Sequence, residues 1–222
     1  MVNRKNSIFD IPLALPITEE KRRNWYEKMI TNAQKRISNF AFNHQWSDHI
    51  SQPLIKEVRV YETKEQFDKD VKIAFRYDSD IDLPQSFSAV IADGILLIVT
   101  EEIYAENYKV GQEDHAYEKL LAHEMAHELH IRILDRNEEQ MGPRWFFEGF
   151  ALYAANQFED TMLELSNEDI VNIISSEQSS TYAYYRLLMD KLLLHIDLKK
   201  AVEHAKYPNF DYFVRKLLKL DF

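Results

Sequence analysis

Four glycines and six prolines are all the punctuation available to a chain of 222 residues. An all-β sandwich or barrel needs turn residues at intervals of about 8–12 positions, and ten such residues cannot supply them. Long helices use far fewer tight turns, so the sequence is biased towards helix. Hydrophobic residues make up 45% of the chain, and 13% of all residues are aromatic, enough for a sizeable core. Cysteine is absent, which excludes disulfides and thiolate metal sites.

The hydrophobic patterning predicts elements in a definite order. A long helix is expected over 17–42, capped by Thr18, with Glu19 and Glu20 suited to its positive end. LIKEVRVY, 54–61, alternates as a strand does, and 63–75 reads as a helix behind a Thr63 cap. SFSAVIADGILLIVT, 86–100, reads as two strands joined at Asp93-Gly94, the strongest hairpin signal in the chain. Helices then dominate: 114–134, a second led by Pro143 and running to 158, a short one behind a Ser166/Asp169 capping box, 181–196, one capped by Asp197, and 209–220. The fold class expected is α+β: a small mixed sheet with a central helix, followed by a mostly helical C-terminal part. One domain over 1–222 is expected, with 1–50 as an N-terminal helical extension, 51–135 holding the sheet and the central helix, and 136–222 the helical part.

The formal net charge of −10 argues against a nucleic-acid partner, which would require clustered Lys and Arg. No apolar run approaches the roughly 20 residues of a membrane span. The opening, MVNRKNSIFDIPLALPITEE, is charged but its apolar run is broken by Pro12 and Pro16, so it does not read as a signal peptide. A cytoplasmic location is the expectation, with secretion after removal of a signal as the alternative.

The chemistry concentrates in LLAHEMAHELH, 120–130. His123 and His127 stand four apart, which on a helix puts them on one face, one above the other. Two imidazoles so placed can reach one zinc ion, and Glu124 flanks it: the H-E-x-x-H pattern of zinc hydrolases. The same residues also fit hydrogen-bonded histidines at a helix edge. A third ligand of the G-x-x-H type fails, because His130 and Ile133 occupy the required positions. The other common arrangement takes a Glu from a later helix. In PRWFFEGFALYAA, Glu148 sits among Trp145, Phe146, Phe147 and Phe150, where a carboxylate is costly unless paired or metal-bound. A carboxylate on a solvated helix face, served by Arg144 or the loop, is the alternative.

HEMAH followed by RWFFEGFALY resembles the gluzincin metallopeptidases, the group of thermolysin and the larger aminopeptidases. The nearer resemblance is to small bacterial peptidases of the MA-like type, which carry a W-x-x-E-G-x-A-x-Y helix. Trp145, Glu148, Gly149, Ala151 and Tyr153 match it position by position. The resemblance covers about residues 55–220 and is specific at these two helices.

It implies a thermolysin-like, zincin-like fold and one catalytic Zn2+ held by His123, His127 and Glu148. It implies peptide-bond hydrolysis through a metal-activated water with Glu124 as general base, endopeptidase action being slightly favoured. A Tyr at the start of a later helix would stabilise the oxyanion; Tyr182 is preferred over Tyr184 and Tyr185. An edge strand of the hairpin would pair with an extended peptide or protein substrate. The Asp that thermolysin-like enzymes place one turn after the Glu ligand is Leu152 here, so another group, such as Asp114, Glu128 or a carbonyl, must orient the histidines. The competing function is a catalytically degenerate zinc-binding protein that acts as a protein-binding module.

Overall fold

The computed structural model describes residues 11–109, 113–175 and 181–220. Four short strands form one mixed sheet: β1 (Leu13–Ala14), β2 (Glu57–Tyr61), β3 (Ala89–Ala92) and β4 (Ile95–Val99). Their order is β1-β2-β4-β3, with β1, β2 and β4 parallel and β3 antiparallel to β4. Around them lie α1 (Arg23–Asn43), α2 (Lys64–Phe75), α3 (Glu101–Asn107), α4 (Ala116–Ile133), α5 (Arg144–Ala155), α6 (Asn167–Ser175), α7 (Tyr182–Leu193), α8 (Leu198–Ala205) and α9 (Phe210–Leu217). This is the α+β class expected, a small sheet followed by helices. Among the described residues no helix is long and apolar enough to cross a membrane.

The hairpin closes at Asp93 and Gly94 with φ of +52° and +81°, the paired left-handed conformation that favours Asp-Gly. Ala92 then faces Ile95, and Ala89 faces Ile98. β4 is buried at four successive positions, 96–99, so both its faces are covered. β3 is left as an edge of the sheet.

Capping residues act where the sequence places them. Thr63 Oγ1 accepts from Gln66 N at 3.2 Å, Asp197 Oδ1 from Lys200 N at 2.9 Å, and Ser166 and Asp169 exchange bonds as a capping box. The N-terminal helix differs from expectation. Residues Ile17–Arg22 form a tight 3-10 turn, and the α-helix begins only at Arg23. Thr18 does not cap it; its hydroxyl donates to Glu62 Oε2 at 2.6 Å, while Glu20 is taken by Arg23. The short strand β1 and helix α3 add two elements to those the patterning gives, β1 being only two residues long.

α1 packs on α4 and α5 through Tyr26, Ile30, Ala33, Ile37 and Ala41, a buried stripe at helical spacing. α4 packs in turn against α1, α5 and β3, and α5 against α7. Trp145 locks α5 to α9: its indole N–H donates to Asp211 Oδ1 at 3.0 Å and its ring stacks on Phe210. Gly149 permits the contact of α5 with α7, because a Cβ there would lie 3.1 Å from the Tyr185 carbonyl oxygen.

Candidate metal centre

α4 runs through the core, so its polar side chains must be satisfied within the protein. Glu118 accepts from Asn32 and from Arg36, both at 2.9 Å. Glu128 pairs with Arg132 at 2.8 Å and Arg136 at 3.0 Å. Arg132 also donates to the carbonyls of His49, Gln52, Pro53 and Leu54, which fastens the loop before β2 to this helix. His130 is fully buried against Phe150, with ring centroids 4.3 Å apart, and neither ring nitrogen has a hydrogen-bond partner. Burial, with the His127 charge adding, pushes its pKa down to about 3, so it packs as a neutral ring.

The remaining face carries His123, Glu124 and His127. α5 crosses it and delivers Glu148, 8% exposed. The Nε2 atoms of His123 and His127 are 3.0 Å apart, and Glu148 Oε2 lies 3.3 Å from the first and 3.6 Å from the second. A tetrahedral ion with bonds of about 2.0–2.1 Å has its ligand atoms about 3.3–3.4 Å apart, so the triangle has the required size. Glu148 Oε2 is buried with no properly oriented hydrogen bond, an orphaned charge facing two imidazole nitrogens. Burial would raise the Glu148 carboxyl pKa, but the facing imidazoles of His123 and His127 hold it well below the usual range, so the group is an anion. These three residues can hold a metal ion. Three protein donors, rather than four, is the number found in catalytic zinc sites.

The imidazole of His123 is oriented from behind. Its Nδ1 donates to Gln157 Oε1 at 2.8 Å, which leaves Nε2 with a lone pair directed at the triangle. The Gln157 side chain makes this contact, rather than Asp114, Glu128 or a backbone carbonyl, the candidates the sequence offered. It is reachable because α5 stops at Ala155, three residues earlier than expected, and Asn156 turns the chain at φ +58°. Arg186 of α7, 5% exposed, then donates to the Gln157 carbonyl at 2.8 Å and holds Asp190 with its Nε. Gln157 has no sequence signature: it follows a helix end and meets His123 across 34 positions.

The triangle opens into a cavity of about 320 Å³ lined by residues of β3 and its approach, by Glu124, and by Tyr182. A second cavity of about 530 Å³ shares Val90, Glu124 and His127 with the first, so the edge strand borders both. Burial, reinforced by the Glu148 charge and opposed by His123, pushes the Glu124 carboxyl up to about 7. The Tyr182 ring stands 5.9 Å from that of His123, at the start of α7. Burial, with the charges of Glu148 and Glu124, raises its hydroxyl pKa, so it stays protonated as a donor. Tyr185 instead packs in the core, and Tyr184 lies outside this cavity wall. Arg144 and Tyr108 also line the cavity, and the motifs singled out neither for such a place. No family model, curated protein or solved structure matches the chain.

Proposed function

We propose that this protein is a zinc-dependent peptidase of the gluzincin type. The observation that carries the reading is the pairing of an intact base with a complete donor triangle. Glu124 lies beside His123 on α4 and faces the same cavity, and neither its position nor its raised pKa is needed for binding metal alone. Two imidazoles and a carboxylate suit Zn2+. When bound, the ion would polarise a carbonyl and bring the pKa of water towards neutrality.

The chain's own residues have distinct parts in this reading. His123, His127 and Glu148 hold the ion, and Gln157 keeps His123 in the required tautomer. Glu124, beside His123 and facing the same cavity, takes a proton from water and returns it to the leaving amine. The neutral Tyr182 hydroxyl donates to the developing oxyanion. The outer edge of β3 pairs with an extended peptide. Because both cavities adjoin Glu124 and His127, substrate can extend to either side of the centre, which supports an endopeptidase acting on peptides or proteins.

Elemental mass spectrometry after loading with a panel of divalent metals tests the centre. About one zinc per chain is expected, lost in a folded Glu148→Ala variant. Hydrolysis of a peptide library by the zinc-loaded protein tests the activity, and Glu124→Gln should retain zinc while losing roughly 10²–10⁴ in rate. Failure to load any metal, or undiminished turnover in Glu124→Gln, would overturn the proposal. Stoichiometric zinc with no cleavage of any peptide would favour the binding-module alternative.

A further inference from the structure

We infer that Arg144 recognises a carboxylate on the substrate, so that the enzyme selects peptides carrying one close to the scissile bond. The inference rests on the peptidase reading and names the substrate class for the same site. Arg144 opens α5, one helical turn before Glu148, and therefore projects from the face of α5 that carries the metal ligand. It lines the cavity in front of the centre, where it is the only lysine or arginine among the described lining residues.

Its guanidinium is uncommitted. Arg36, Arg132 and Arg186 are each committed to fixed carboxylates or carbonyls. Arg144 is exposed and makes no hydrogen bond or ion pair with any described residue. The two carboxylates of the cavity do not engage it: Glu148 is turned to the two histidines, and Glu124 forms no ion pair with any described residue. A guanidinium presents a planar fork that matches a carboxylate with two parallel hydrogen bonds. The cavity wall also includes Phe87, Tyr104 and Tyr108, so a carboxylate entering the cavity would be partly removed from water and the pairing strengthened. The carboxylate can come from an Asp or Glu side chain or from the peptide's C-terminus.

The test is a ratio of kcat/KM values, measured on the zinc-loaded protein and on Arg144→Gln. In one series, peptides blocked at both ends carry Asp or Glu, or the matching Asn or Gln, at each position near the cleaved bond. In the other, one neutral sequence carries a free or an amidated C-terminus. The wild type should favour the carboxylate member of one series by about 10- to 100-fold, and the ratio should fall to about one in Arg144→Gln. The series that responds identifies the source. Equal ratios in wild type and variant, or a ratio of one in the wild type, would overturn the inference, and a partly unfolded variant would not disguise this because the ratio is independent of the active fraction. If the wild type cleaves no peptide at all, the peptidase reading fails by itself. The Arg144 inference is then decided by NMR titration of the metal-free protein with N-acetyl-alanine, N-acetyl-aspartic acid α-amide and N-acetyl-alanine amide. Tighter binding of a carboxylate that disappears in Arg144→Gln upholds it, and no preference overturns it.

Discussion

Two sets of polar side chains on α4 use the same residue types to opposite ends. In one set Glu118 is held by Asn32 and Arg36 and Glu128 by Arg132 and Arg136, and nothing is left to react. In the other, His123 and His127 converge with Glu148 of α5 within 3.6 Å, and Glu148 Oε2 has no properly oriented hydrogen bond. A buried ionic group with fixed partners is architecture, whereas several that point at one another without protons to share make a binding site. Composition alone would rank these glutamates and histidines as equals.

This contrast can be broken most severely in the metal set. His127→Ala should reduce bound zinc from about one per chain to near none, read by elemental analysis, while the far-ultraviolet circular dichroism is retained. In the paired set, Arg132→Ala strips Glu128 of one partner and releases four carbonyls. It should cost about 3–5 kcal/mol in denaturant unfolding and leave zinc stoichiometry unchanged. Gln157→Ala removes the support behind His123 and should weaken metal affinity about 10- to 100-fold, measured by competition with a chelator.

The Glu124 carboxyl provides a pH test. Its folded pKa, about 7, lies above the ordinary value of 4.5 because burial disfavours the anion. The fold therefore favours the neutral form, a contribution complete below about pH 4.5 and lost as pH rises through 7. In metal-free protein, Glu124→Gln stays neutral and should gain on the wild type as pH rises. The difference in Tm should be near zero at pH 4.5 and largest above pH 8. The smallest effect is expected at His130, whose two ring nitrogens are buried without partners. His130→Phe should stabilise by about 1 kcal/mol in thermal unfolding and leave metal content unchanged. Loss of zinc in that variant would blur the distinction between the two sets.

Local signals were readable because they are local. Asp93-Gly94 demands its turn, Thr63, Asp197 and the Ser166/Asp169 pair cap the helices they precede, and the spacing of His123 and His127 sets them on one helix face. The N-terminal region was less legible. Thr18 looked like a cap, but its hydroxyl found Glu62, 44 positions away, and the backbone took a 3-10 turn instead. β1 was unreadable because two residues between prolines acquire strand geometry only by pairing with β2. The same limit applied to the support of the metal centre, where no periodicity distinguishes Gln157 from any polar residue behind a helix.

By itself, then, the sequence determined the helix-rich α+β class and the donor residue types, through sparse turn residues and fixed helical periodicity. Only the tertiary structure decided which groups meet. Gln157 behind His123, Tyr182 in the cavity and Arg144 free on its wall all depend on how α4, α5 and α7 pack. The physical reason is that backbone propensity and periodicity act over a few residues, whereas a site is made of side chains brought together by the burial of a common core.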